Sequence, residues 1–153
     1  MCLISEGGEV GEPAVPHGLG TIARIVDWDM SQPGLLFIKT VGGERFRIVE
    51  RTLQRDRLQT ARVVPLPEPV PQPVPEALKG ALPLLEAIIA DTGTGAFPEP
   101  HRFDDATWVG YRLAEILPIP SLARQRLLEL DDTLSRLEII HRYLAQHNLL
   151  GGK

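Results

Sequence analysis

The residues able to do acid–base or metal chemistry are few in this chain, and most stand alone. His101, Asp104 and Asp105 form the tightest grouping. A metal needs three or four converging ligands steadied by further partners, and an imidazole beside carboxylates can also move protons. Here the group follows Phe97-Pro98-Glu99-Pro100 and precedes an apolar-periodic stretch. That is where an aspartate caps a helix, so capping is the simpler reading. His17 sits beside Gly18 and Gly20 and reads as a turn residue. His141 and His147 leave a helix in different directions, and His141 lies near an apolar stripe, as a core histidine does. Cys2 has no basic neighbour to lower its pKa. Ser5, Ser31, Ser121 and Ser135 lack a local nucleophile signature. Neither Gly18-x-Gly20 nor Gly42-Gly43 opens a helix after a strand, as a phosphate cradle would. No catalytic residue, metal ligand or cofactor is assigned, and the expectation is a protein that is not an enzyme.

Binding chemistry has two candidate sources. Arg45, Arg47, Arg51, Arg55, Arg57 and Arg62 are the one basic concentration. Recognition of single-stranded RNA asks for aromatic stacking between such cations. Only Phe46 is interleaved, and alternation turns it inward. With Glu44, Glu50 and Asp56 among them, the arginines read as a solvated face. The second source is Met30, Phe97 and Phe103, apolar residues in expected turns or loops that fit no core stripe. Flexible and aromatic groups of this kind adapt to varied polypeptide partners. Trp28 and Trp108 are expected as core anchors.

The elements that must hold these residues change character at the run from Pro65 to Pro75, where every second residue is proline. Such a run lacks half its backbone donors and favours an extended polyproline II strut. Upstream, β-branched and alternating segments predict strands at 20–28, 35–41, 44–49 and 60–66. Ser31-Gln32-Pro33-Gly34 predicts a turn, Gly42-Gly43 a tight hairpin with positive φ, and 51–57 a connecting loop. Phe46 and Ile48 are placed inward, Arg45 and Arg47 outward. Exposed edges favour a partly closed barrel over a flat sheet. Downstream, apolar residues recur at helical spacing. A helix from 76 is kinked or restarted at Pro83, a second spans 106–117 behind Asp104 or Asp105 as its cap, and a third is capped by Ser121. The last follows Asp131 or Asp132, with Leu134, Leu137, Ile140 and Leu144 in one stripe. The division is therefore a β part at 1–66, a proline-rich strut at 67–75 and a helical part at 76–153, in an α+β fold.

Several short patterns occur in order along this framework: Leu3-Ile4 with Gly11; His17 with Gly20-Thr21-Ile22-Ala23-Arg24-Ile25; Arg45-Phe46-Arg47-Ile48; the stretch from Trp108-Val109-Gly110-Tyr111-Arg112-Leu113 to Ile119; Gln125-Arg126-Leu127-Leu128-Glu129-Leu130; and Arg136-Leu137. Together they resemble the N-terminal substrate-binding domain of Lon protease over almost the whole chain. The resemblance implies a PUA-like β barrel followed by a helical bundle. It also implies a non-catalytic module that binds unfolded or exposed polypeptide segments, with a protease as a further partner. Members of that family usually begin with further strands and a helix, so the barrel is expected to be incomplete here and its open edge to offer a route to an oligomer. No Gly-x-x-x-x-Gly-Lys-Ser/Thr phosphate loop is present, so ATPase and protease activity are not implied. The alternative reading is a PUA-like RNA-binding module using Arg45 to Arg62.

Composition agrees with a packed domain: 43% of the 153 residues are hydrophobic. A net charge of −4 offers nucleic acid no overall positive field. The lone cysteine, the lack of a signal-peptide pattern and the absence of a bilayer-length apolar run predict a cytoplasmic location with no membrane association.

Overall fold

The computed structural model describes residues 1–8, 13–92, 97 and 99–150. The fold is α+β, and the chain divides into two compact units, Met1–Glu68 and Pro69–Lys153.

The first unit holds β1 (Ile4–Glu6), β2 (Val15–Pro16), β3 (Leu19–Gln32), β4 (Leu35–Leu53) and β5 (Gln59–Pro65). β1 pairs with β2, and β3, β4 and β5 form an antiparallel sheet in that order. Gln32 faces Leu35 across Pro33-Gly34. Gly34 has φ of 83°, which the third position of a type II turn demands, and proline suits the position before it. The β4–β5 turn places Arg57 at φ 68°, with Gln54 N–H bonded to Leu58 C=O at 2.9 Å.

Several expectations for this unit are corrected, and the expected loop at 51–57 is strand as far as Leu53. β4 runs straight through Gly42-Gly43, so there is no hairpin there. Thr21 pairs with Arg45 and Ala23 with Gly42, which leaves one extra residue on β4, a bulge. A glycine with no side chain tolerates such a kink as readily as a turn, and this is what the pattern leaves ambiguous. Met30 lies within β3, not in a turn. The barrel is not formed: among the described residues the three-stranded sheet is open, with β3 and β5 as its edges. The chain packs tightly around Gly20. A Cβ there would collide with Cys2 Sγ, the Met1 carbonyl and the Phe46 ring. The backbone approach that requires glycine brings Thr21 N–H to Met1 C=O at 2.9 Å and keeps Leu19 and Phe46 buried.

In the second unit the proline run is not a free strut throughout. Gln72 C=O receives Ala106 N–H at 2.7 Å, and Val74 N–H reaches Asp104 C=O at 3.1 Å. Val74 is buried with the helical core. A 3₁₀ turn (Glu76–Ala81) leads into α1 (Leu82–Thr92), where Pro83 occupies the first turn and costs no hydrogen bond. α2 (Ala106–Ile116), α3 (Ser121–Glu129) and α4 (Thr133–Gln146) follow. Asp105 and Asp132 cap α2 and α4, accepting from Thr107 N–H at 2.9 Å and Ser135 N–H at 2.7 Å. Ser121 opens α3 without a side-chain cap, which differs from the expected role. Leu137, Ile140 and Leu144 of the expected stripe are buried against Leu85, Val109 and Leu113, with Leu134 half-buried beside them.

Candidate polypeptide-binding surface

The three-stranded sheet leaves a large apolar face uncovered, and its register shows which residues share that face. Directly opposed residues lie on one side of a sheet. Trp28 faces Ile38, Ile25 faces Thr40 and Ala23 faces Gly42. Ile22, Ile25, Ile38, Thr40, Phe46 and Val63 line a shallow concavity of about 470 Å³. Trp28 is 66% exposed, and Ile25, Val26, Leu36 and Ile38 are each more than half exposed. The sequence places Trp28 in the core. It is on a core-type face, but no layer packs over that face among the described residues. Exposed apolar residues grouped on one face of a folded domain make that face a candidate contact surface.

The expected contact residues fall in different settings. Met30 belongs to the first unit and is 54% exposed on β3, in the same apolar stretch as Trp28. Phe97 belongs to the second unit and is buried at 7% exposure within the helical core, so its side chain meets packed neighbours. Phe103 is half-buried in a ring cluster, with its centroid 5.3 Å from Trp108 and 5.9 Å from His101. The sequence signal for Phe97 fails because a residue in an irregular segment belongs to no periodic stripe, yet a loop can fold over a helix pair. Trp28, Ile25 and Ile38 are exposed apolar residues that the sequence does not single out as candidate contacts. Ile38 lies in a strand apolar at nearly every position, which reads as burial on both sides, while Ile25 and Trp28 lie in one of rough alternation, which reads as a single buried face.

The chemical candidates do not converge. Asp105 is occupied by capping α2 and by accepting from Gln72 N–H at 3.2 Å, while His101 lies in the ring cluster. Among the described residues no group of three His, Cys, Asp or Glu side chains is placed to hold a metal. His147 Nδ1 is 2.8 Å from Tyr143 C=O. Burial pushes the Cys2 thiol up, against a smaller opposing pull from the nearby N-terminal ammonium. That leaves less thiolate for nucleophilic work. The arginines are dispersed rather than focused. Arg45, expected outward, is buried at 7% exposure where β3, β4 and the chain after β5 meet. Arg62 pairs with Glu50 across the sheet at 3.2 Å. Arg57 is held in a tight turn. No helix among the described residues is long and apolar enough to cross a membrane.

A feature of the helical unit also went unread. Arg136 of α4 is fully buried. Its Nε donates to Leu127 C=O at 2.9 Å and its Nη2 to Leu130 C=O. The guanidinium carbon lies 4.1 Å from the centre of the Tyr111 ring. The side chain thus closes the C-terminal end of α3, whose carbonyls need donors, and joins it to α2 and α4.

Comparison with known families resolves what this framework is. The family model for the substrate-binding domain of ATP-dependent protease La (LON) matches residues 1–146. The chain belongs to the Lon substrate-binding domain family. Among solved structures, it is similar to a Lon N-terminal domain protein from Xanthomonas campestris, at 29% identity and a TM-score of 0.72. That match covers 91% of this chain and 71% of the other. No curated protein matches the chain. The buried Arg136-Leu137 pair, the Asp105 cap and the Gly20 approach of this chain therefore lie within the region that the Lon family model spans.

Proposed function

We propose that this Lon-family chain is a non-catalytic polypeptide-binding module. Its uncovered β3–β4–β5 face receives unfolded or exposed segments of other proteins, and a protease is the natural consumer of what it binds. The sheet is read as an incompletely closed PUA-like unit. The observation that carries the reading is the exposed apolar stretch of Ile25, Trp28, Met30 and Ile38 on a folded scaffold. An unfolded segment offers the same kind of side chain, and its burial there removes apolar area from water on both partners at about 25 cal/mol per Å².

The test is a titration of the chain with an unfolded polypeptide and with the same polypeptide in its native fold. Binding is expected for the first alone. Trp28→Ala and Met30→Ala should each weaken it while changing stability by less than about 0.5 kcal/mol, because both side chains are exposed. Equal binding of both forms, or of neither, would remove the reading. Salt-sensitive binding of RNA instead would favour the arginines.

A further inference from the structure

We propose that two copies of this chain join edge to edge through β3. The strands run antiparallel about a twofold axis, with Ile25 of one copy opposite Trp28 of the other. This does not rest on the polypeptide-binding reading.

β3 is an edge strand. Among the described residues its outer side is engaged at Thr21, which exchanges bonds with the Met1 amino group at 2.5 Å and the Met1 carbonyl at 2.9 Å. Beyond that point the extended edge is open among the described residues. Thr21 fixes which backbone groups face outward. Alternation along the strand turns Ala23 and Ile25 the same way. Ile25 pairs with Thr40 but Asp27 with Lys39, so Val26 is an extra residue on β3. The extra residue shifts the outward set to Trp28 and then Met30, the last before a second extra residue on β3 between Asp29 and Gln32. Trp28 agrees, since its N–H is bonded to its own Asp27 carboxylate at 2.9 Å rather than to a strand.

The bulge makes the open edge symmetric. Only one antiparallel self-pairing matches every outward residue with another: Ile25 opposite Trp28 and Ala23 opposite Met30, each occurring twice. In that register Arg24 of each copy stands opposite Asp29 of the other. Arg24 faces Val41 and Asp29 faces Phe37 within the sheet, and alternation along β4 puts these on one side. Both charges are exposed. Ile25 and Trp28, on the other side, meet as exposed apolar partners. Isolated charges usually protect an edge from pairing; here they complement each other, which argues for a second copy over an arbitrary extended peptide. The Ile25 carbonyl of the second copy replaces the Asp27 carboxylate on Trp28 N–H. The two Asp27 side chains then flank the axis. The paired edge is short, which places it at the small end of interface sizes and makes association concentration-dependent. The product is one continuous six-stranded sheet.

Sedimentation equilibrium of the full chain tests this. The mass should rise with concentration from 16.9 kDa toward twice that value. Arg24→Asp and Asp29→Arg should each weaken dimerisation roughly tenfold, because each turns two attractive cross-strand pairs repulsive. The double variant should restore it to within about threefold. Asp27→Asn should tighten it. Circular dichroism of each variant checks that the fold persists. A monomer at every concentration, single variants that dimerise unchanged, a double variant that is not restored, or a weaker Asp27→Asn dimer would each overturn the proposal.

Discussion

At the scale of the residue, Arg136 shows how a charged side chain becomes part of a core. A buried cation is costly unless its donors are satisfied. Two of its groups meet carbonyls at the end of α3, and the Tyr111 face lies beneath the guanidinium. Truncation leaves both carbonyls short of a donor, each worth about 1–3 kcal/mol. Arg136→Ala should therefore cost roughly 2–5 kcal/mol. Arg136→Lys should recover only part, since an ammonium cannot reproduce the planar fork. Denaturant melts check both, and a loss below about 1 kcal/mol for the alanine variant would show the carbonyls finding water. The sequence does not display this role: the residue sits among Ser135, Leu137 and Glu138 like any exposed helix arginine. Gly20 is similar, because its need for no side chain arises only when Met1 and Cys2 are brought beside it.

At the scale of the element, caps and helices were legible, and strand ends were not. Asp105 and Asp132 occupy the cap positions that their place before apolar-periodic stretches predicts. The helical stripe of α4 is buried as its spacing requires. Strand pairing depends on partners far along the chain, so Gly42-Gly43 reads as a turn when the strand runs through it into a bulge at Gly43-Glu44, and Trp28 reads as core when its face is open. The Asp132 cap makes a titration test. Hydrogen bonds from the Ser135 side chain and backbone hold its carboxyl below the usual range. A carboxylate whose folded pKa is depressed stabilises the fold above its unfolded value, about 3.9, and loses that contribution as pH falls through the folded value. Thermal melts should therefore show α4 stability declining on acidification below about pH 4, and Asp132→Asn should show a smaller decline over that window. Identical slopes for the two proteins would mean the cap contributes nothing that titrates.

At the scale of the whole molecule, the two units differ in how much apolar surface each buries. The helical unit buries Leu85, Val109, Leu113, Leu137, Ile140 and Leu144 almost completely. The β unit fully buries few apolar side chains, Leu19 and Phe46 among them, and holds a long hairpin whose apolar residues stay half exposed. Local opening free energy follows buried apolar contact, because that is what opening gives up. Amide hydrogen exchange should thus be slow in α2 and α4 and faster by orders of magnitude between residues 22 and 41. Self-association adds a second expectation at this scale. In the paired edge the Ile25 amide gains a backbone partner and the Trp28 amide exchanges its Asp27 carboxylate for one, so their exchange should slow as protein concentration rises, while that of α4 stays the same. Arg24→Asp should move the concentration dependence to roughly tenfold higher protein concentration without altering the dilute-solution rates. Uniform protection across both units would contradict the uneven core. Exchange at Ile25 and Trp28 that ignores concentration would contradict the paired edge and leave the contrast between the units standing, so the two claims are separable in one experiment.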